Sequence, residues 1–246
     1  FLLPQAAVRR QDVASAEDAL AESARGSRPE FYDFDLFSWS EKSLEFAERP
    51  LAELAYTVFD TETTGLEPSC GDEIIQIGAV RIVNRRLLKG EVFDQLVDPR
   101  RPLSAASVDI HGITPEMLAG QPRIGTVLPA FRDFCADTVL VAHNAAFDMR
   151  FLQLKEADTG VRFDLPVLDT LLLSAVLHPN QESHRLEAIA ERFGIPVIGR
   201  HTALGDAYVT GEVFLRMLPL LADMGIHTLG EARRAAEKTW HARIVY

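Results

Sequence analysis

Two carboxylates follow the first β-branched and aromatic run of the chain, in the sequence Phe59-Asp60-Thr61-Glu62. In an extended backbone, side chains two residues apart point to the same side, so Asp60 and Glu62 are expected to face one spot. Two adjacent carboxylates repel each other unless a cation or a proton lies between them, and hard divalent cations prefer oxygen ligands. The pair therefore predicts a cation site, although an isolated Asp-x-Glu triplet in an acidic protein is more often a solvated strand end.

A second polar group, at residues 143–148, reads His-Asn-Ala-Ala-Phe-Asp and follows a short apolar run. It opens a helical pattern, and sites gather at such strand-to-helix junctions in open α/β sheets. Asp148 also has a simpler explanation, because an acidic side chain in the first turn of a helix complements the helix dipole.

A third group, His201 and Asp206, stands at the start of a long helical pattern. The aspartate can act as a ligand and the histidine as a general base, since a histidine with an ordinary pKa of ~6.5 changes charge near neutral pH. The alternative is a surface histidine beside a dipole-complementing aspartate. Most of the other histidines lack a comparable acidic partner and are interpreted as surface or structural residues.

Taken together, the three groups resemble the DEDDh (DnaQ-like) exonuclease family, which includes the proofreading epsilon subunit of bacterial DNA polymerase III and RNase T. The resemblance lies in Phe-Asp-Thr-Glu-Thr-Thr-Gly-Leu at 59–66, Asn144-x-x-Phe147-Asp148 and His201-x-x-x-x-Asp206. Their order and approximate separations are those of the family, and the five signature residues are all present. Ile-His-Gly-Ile-Thr at 110–114 also matches a segment common in the epsilon-type branch. The resemblance spans roughly residues 56–218.

This resemblance implies an α/β, ribonuclease H-like (exonuclease) fold with a mixed five-stranded sheet flanked by helices. It further implies a metal-dependent 3′→5′ exonuclease that hydrolyses phosphodiester bonds at a 3′ end and releases nucleoside 5′-monophosphates. By analogy, Asp60, Glu62 and Asp206 hold one divalent ion, Mg²⁺ by default with Mn²⁺ as a substitute. Asp60 bridges to a second ion that Asp148 supports directly or through water. Two such ions clamp the attacking and leaving oxygens, and His201 takes the proton from the attacking water.

The resemblance also suggests contacts to the terminal nucleotide. Gly65 would permit close approach of the backbone to a nucleotide, Leu66 would wedge against bases, and Phe147 would stack on a base. Ordinary core packing is the alternative for Leu66 and Phe147, and His111 is interpreted as a sugar or phosphate contact. The predicted substrate-binding residues are Thr63, Thr64, Gly65, Leu66, His111, Asn144 and Phe147.

The pattern along the chain predicts the elements that must position these residues. Strands are expected at 56–59, 73–83, 87–97 and 138–142, and helices at 124–135, 147–158, 169–177, 185–193 and 202–218. We divide the chain into an N-terminal arm or linker remnant at 1–55, an exonuclease domain at 56–220 and a C-terminal helical tail at 221–246. Within the arm, an Ala-rich run at 13–24 favours a helix, and an aromatic cluster at 31–39 either packs on the domain or docks a partner.

Composition narrows the possible partners. The net charge of −11 and pI near 5.1 argue against a module that grips duplex nucleic acid through a basic face, but not against an enzyme that holds a strand end through cations. No apolar run approaches the ~18 residues of a membrane span, so no membrane contact is predicted. Two cysteines are too few for a disulfide framework and favour a cytoplasmic setting. Since the first residue is Phe, the chain is interpreted as a piece of a longer protein.

Several functions fit the same residues. The predicted substrate is a nucleic-acid 3′ end, with single-stranded DNA preferred over RNA. The alternatives are a proofreading subunit that acts only within a polymerase complex, a nucleotide-sensing or interaction module of a larger signalling protein, and an oligoribonuclease. Retention of the five signature residues counts against a purely binding role.

Overall fold

A computed structural model describes residues 40–197 and 201–243. The predicted Ala-rich helix at 13–24 and the aromatic cluster at 31–39 lie outside these residues. Five strands form one sheet in the order β3-β2-β1-β4-β5. The strands are β1 (Tyr56–Thr63), β2 (Ile74–Val83), β3 (Arg86–Leu96), β4 (Val139–Ala142) and β5 (Val167–Asp169).

The sheet is mixed, as predicted. Strands β1, β2 and β3 form an antiparallel meander, whereas β4 and β5 run parallel to β1. Every residue of β1 is buried, because this strand lies in the middle of the sheet with helices on both faces. The ribonuclease H-like fold class expected from the resemblance is confirmed.

Helices cover both faces of the sheet. They are α1 (Glu41–Ala47), α2 (Ala105–His111), α3 (Pro115–Leu118), α4 (Ile124–Phe134), α5 (Ala145–Leu154), α6 (Glu156–Thr159), α7 (Thr170–Leu177), α8 (Leu186–Arg192), α9 (Ala203–Asp223) and α10 (Leu229–Glu237). One core cluster joins the sheet to α4 and α5 around Phe59, Phe131 and Phe151. A second cluster joins the opposite face to α8, α9 and α10 around Phe214 and Met217. Among the described helices, none has the length and apolar character that crossing a membrane requires.

The predicted elements differ from the observed ones at four places. Helix α9 continues five residues past its predicted end at 218, to Asp223, and so crosses the predicted domain boundary at 220. Strand β1 continues four residues past its predicted end, because the polar residues 60–63 still pair with β2. The helix expected at 147–158 starts at Ala145 and breaks at Lys155 into α5 and α6. Strand β5 was not assigned from the pattern, since three residues are too few to show a period of two.

Residues just before β1 pack against the last long helix of the chain. Leu51 and Leu54 share a core cluster with Leu229 of α10, and Leu51 N–H donates to His227 O at 2.8 Å. The division at residues 55 and 220 stays a prediction, and these contacts link the two flanking segments across the predicted domain.

Candidate active site

Three carboxylates converge where β1 and α9 meet. Asp60 and Glu62 lie on one face of β1, each with 6% of its surface exposed. One ligand oxygen from each of Asp60, Glu62 and Asp206 can be chosen so that all three lie within 4.8 Å of one another. Carboxylates held this close, and largely removed from water, repel strongly unless a cation joins them. An all-oxygen anionic donor set of this kind fits a hard divalent cation.

The sheet brings Asp206 to this point through a close contact with α9. Gly78 of β2 pairs with Asp60, and a Cβ at Gly78 would lie 2.1 Å from Leu204 N. Gln76 Oε1 accepts the N–H of Ala203 at 3.2 Å. Because Gly78 has no side chain and the Ala203 N–H donates to Gln76, the first turn of α9 packs directly on the sheet beside Asp60. Both residues were missed by sequence reasoning, although a glycine inside a strand pattern is a recognised sign of close backbone approach.

Asp148 is placed differently from the other three acids. It is fully buried on α5, and its Oδ1 accepts the backbone N–H of Thr61 at 3.1 Å and the Thr61 hydroxyl at 2.5 Å. Strand β4 pairs with β1 only as far as Val58, and beyond that point α5 lies beside β1. The structure thus ties Asp148 to the residue between Asp60 and Glu62 and does not include it in the group of three converging carboxylates.

The predicted histidines His201 and His111 both line the cleft but differ in burial and in backbone conformation. His201 is half-buried and has a left-handed backbone, with φ of 62°. His111 is buried, and its Nδ1 accepts the N–H of Ile113 at 3.0 Å, which leaves the ring proton on Nε2. Nε2 of His111 has no hydrogen-bond partner among the described residues. Burial, and to a lesser extent repulsion between the protonated forms of His111 and His201, lowers the pKa of His111, which favours the neutral ring at pH 7.

The loop after β1 is held by an aspartate that sequence reasoning missed. Asp72 accepts the Thr64 hydroxyl at 2.9 Å and the Glu67 N–H at 3.0 Å. A Cβ at Gly65 would lie 2.3 Å from the Asp72 carboxylate. Gly65 was predicted to permit close approach of a nucleotide, but in the structure it leaves room for the Asp72 carboxylate. Leu66, next in this loop, is 42% exposed.

These residues surround one cleft of about 300 Å³. The predicted site residues that line it are Asp60, Glu62, Thr63, Thr64, Gly65, Leu66, His111, Asn144, His201 and Asp206. Ile110, His143, Arg185 and Glu187 also line it without having been predicted. Arg185 is the one Lys or Arg among the described residues of its lining.

Phe147 is the predicted substrate contact that the structure does not bring to the cleft. Its side chain has no exposed surface and packs on Phe151, with ring centroids 5.0 Å apart. Phe147 points from α5 into the core, whereas Asn144, which precedes this helix, lines the cleft. Phe147 is therefore a core residue, and its ring is not exposed for stacking on a base.

Comparisons with known proteins agree with this geometry. The profile of the exonuclease (RNase_T) family matches residues 57–214. A DNA polymerase III subunit epsilon-like protein of Rhodobacter capsulatus is 52% identical over 216 residues, which are 87% of this chain and 30% of that protein. A PolC-type DNA polymerase III of Caldanaerobacter subterraneus is 40% identical over 72% of this chain and 12% of its own length. The chain thus spans less than a third of either relative.

Solved structures show the same fold. Exonuclease X, in complex with 5′-overhanging duplex DNA, matches with a TM-score of 0.57 and 26% identity over 74% of this chain and 99% of its own. The nuclease domain of 3′hExo, a DEDDh family member bound to rAMP, matches with a TM-score of 0.61 and 19% identity over 69% and 94% of the two chains. Together with the family match and the 52% identical relative, these likenesses show that the chain belongs to the exonuclease family, as a member of its DnaQ-like, DEDDh type.

Proposed function

We propose that this chain acts as a metal-dependent 3′→5′ exonuclease on single-stranded DNA and releases nucleoside 5′-monophosphates. The observation that carries the proposal is the convergence of the Asp60, Glu62 and Asp206 carboxylates within 4.8 Å in an accessible cleft. DNA is preferred over RNA because the similar proteins include DNA polymerase components and an exonuclease bound to DNA. RNA, including very short RNA, is the competing substrate in the test below.

The acidic residues would hold two divalent cations, Mg²⁺ by preference and Mn²⁺ as a substitute. Asp60, Glu62 and Asp206 would hold one, while Asp60 and Asp148 would hold the other, directly or through water. When bound, such ions stabilise the charge that develops on the phosphate and on the leaving 3′ oxygen, and they lower the pKa of the attacking water. Thr61 keeps the Asp148 carboxylate in a fixed direction through the hydrogen bonds of its N–H and hydroxyl.

We assign the proton transfer to His201. A water oxygen forms the new bond to phosphorus, the bond between phosphorus and the 3′ oxygen breaks, and the imidazole of His201 accepts the proton of the water. The 3′ oxygen leaves with a proton from solvent. His111 is unsuited to this task, because Nδ1 already accepts the Ile113 N–H and Nε2 carries a proton. It would instead donate from Nε2 to an oxygen of the terminal nucleotide.

The remaining cleft residues would hold the strand end. Leu66 is exposed at the mouth and would pack on a base, while Thr63, Thr64 and Asn144 offer polar groups to the sugar and phosphate. Gly65 has no side chain and would contribute its backbone only. The apolar contact and the polar groups together favour an unpaired terminus over a stacked duplex end.

A polymerase setting is proposed for the longer protein. The relatives that are named as polymerase III components extend well beyond the length of this chain, and the chain is 52% identical to the epsilon-like one. We therefore infer a proofreading role within a larger polypeptide or complex.

Cys70 and Cys135 are free thiols, which supports a cytoplasmic location.

End-labelled oligonucleotides test the proposal. The purified chain is incubated with single-stranded DNA or RNA of several lengths, carrying a 5′ label, in Mg²⁺, Mn²⁺ or EDTA. We expect a ladder that recedes from the 3′ end of DNA with either metal, and no products with EDTA or in Asp60→Ala. Faster loss of RNA, or of the shortest RNA alone, would reassign the substrate. Intact strands in both metals would contradict an autonomous exonuclease and favour the partner-dependent subunit.

A further inference from the structure

A buried aspartate lies behind the cleft, outside the predicted site. Asp169 ends β5 and has 5% of its surface exposed. Its Oδ1 accepts the N–H of Asn144 at 3.0 Å and the N–H of Leu171 at 2.8 Å, and its Oδ2 accepts the N–H of Ala145 at 2.9 Å. The Leu171 contact caps α7, as an aspartate before a helix commonly does. The other two contacts reach across the sheet edge to a different segment, and local capping does not explain them.

Those two contacts hold the turn that starts α5. Asn144 has φ of 57° and ψ of 49°, a left-handed conformation that glycine adopts most readily and asparagine or aspartate only occasionally. Its side chain makes no capping hydrogen bond to α5. The first N–H groups of a helix have no partner inside the helix and must be satisfied from elsewhere when they are buried. For this turn, Asp169 supplies that acceptor from the neighbouring strand.

The turn at Asn144 connects β4 to α5, the helix that carries Asp148. Asp148 lies three residues after Ala145, in the first turn of α5, so the direction of the helix start sets the position of its carboxylate. Asp148 in turn accepts both hydrogen bonds from Thr61. A continuous series of contacts therefore runs from Asp169 through the Asn144 turn and Asp148 to β1, between Asp60 and Glu62. Asn144 itself lines the cleft at the same turn.

We propose that Asp169 is a positioning residue for the metal site: its carboxylate fixes the left-handed turn at Asn144 and thereby the placement of Asp148 beside β1. The proposal rests on the proposed function only in taking Asp148 as a cation ligand. Asp169 does not line the cleft, and its carboxylate contacts the main chain of another segment. Burial raises the pKa of Asp169 to about 6 against the opposing effect of its backbone N–H partners, so the ionised form is dominant at pH 7.5.

The test is Mn²⁺ binding to Asp169→Asn, measured by the EPR signal of free Mn²⁺ without any nucleic acid. Asparagine keeps the size of the side chain but turns one accepting oxygen into an NH₂ group that faces N–H donors. We expect the Mn²⁺ affinity to fall 10- to 100-fold, the range typical when a group that orients metal ligands is lost. The Mg²⁺ concentration for half-maximal hydrolysis should rise by the same factor.

Leu173→Ala is the matched control for simple loss of stability. Leu173 is fully buried on α7, the helix that follows Asp169, but belongs to the core cluster on the other face of the sheet. Leu173→Ala should lower the Tm about as much as Asp169→Asn does and leave the Mn²⁺ affinity within twofold of wild type. If Asp169→Asn does not fold, the double variant Asp169→Asn/Asn144→Gly is used, because glycine adopts the left-handed turn without strain. The double variant should bind Mn²⁺ more weakly than the single variant Asn144→Gly, and equal affinities would overturn the positioning role.

The two proposals fail in distinguishable ways. A folded Asp169→Asn protein that binds Mn²⁺ like wild type would overturn the positioning role, and so would an equal loss in Leu173→Ala. Wild-type protein that binds Mn²⁺ but cleaves no strand would contradict the exonuclease proposal and leave the Asp169 test intact.

Discussion

Replacing Gly78 with alanine should disable the metal site without changing any ligand. Gly78 pairs with Asp60 across the sheet, and an added Cβ would lie 2.1 Å from Leu204 N and 2.2 Å from the carbonyl carbon of Ala203. Ordinary contacts begin at 3.4 Å, so the start of α9 has to move by roughly 1.3 Å, the difference between 3.4 and 2.1. The atoms in the way are backbone, and a rotamer change cannot relieve the clash.

This displacement carries Asp206 with it, because Asp206 lies in the same first turn of α9. Metal–ligand distances tolerate errors of about 0.2 Å, far less than the required shift. A misplacement of about 1 Å in a catalytic constellation can lower the rate on the order of 100-fold. Overpacking itself destabilises by about 1–3 kcal/mol, which most domains survive in the folded state. We therefore expect a folded protein whose kcat/KM in Mg²⁺ has fallen about 100-fold.

Gly90→Ala is the matched control. Gly90 also lies within a strand, β3, but a Cβ there would meet nothing within 4 Å. Both variants are assayed for release of the terminal nucleotide from end-labelled single-stranded DNA, with thermal unfolding to establish folding. Gly90→Ala should stay close to wild type. A Gly78→Ala protein with wild-type kcat/KM and Mn²⁺ affinity would refute the claim that this contact seats Asp206.

Three further outcomes concern the base, the buried aspartate and the loop. Protonation of His201 removes its accepting lone pair, so kcat/KM should fall towards acidic pH. His201→Ala should lower turnover by about 10²–10⁴-fold, keep Mn²⁺ binding and lose this acid limb of the pH profile. An unchanged pH profile in that variant would assign the base elsewhere. The raised pKa of Asp169, about 6, means that the folded state binds its proton more tightly than the unfolded state. The free energy of unfolding of wild type relative to Asp169→Asn, measured with urea, should therefore rise by about 1 kcal/mol from pH 7.5 to pH 5. A fall would contradict the raised pKa of Asp169. Asp72→Asn loosens the loop that carries Leu66 and should raise KM for oligonucleotides more than it lowers kcat. Asp98→Asn, at a partly exposed ion pair with Arg100 outside the lining of the cleft, should change neither.

The separations within short segments could be predicted from the sequence. Asp60 and Glu62 share a face because a strand repeats every two residues, and that relation holds whatever the strand packs against. The loop at 64–66 follows directly from the same strand. His201 lies two residues before α9, and Asp206 lies in the first turn of that helix. The presence of both groups in one cleft was expected from the family resemblance, and the structure places them there.

The partners across long separations were decided only by the tertiary structure. Periodicity indicates which face of an element is buried but not which group meets it there, so the pattern did not indicate that Asp148 contacts Thr61 or that Asp169 holds Asn144. For the same reason Phe147 could be read as a base platform until α5 was seen to point it into the core. Gly78 is the clearest case: its absent side chain matters because a helix that starts at residue 203 rests on it, and only the packed sheet brings the two together.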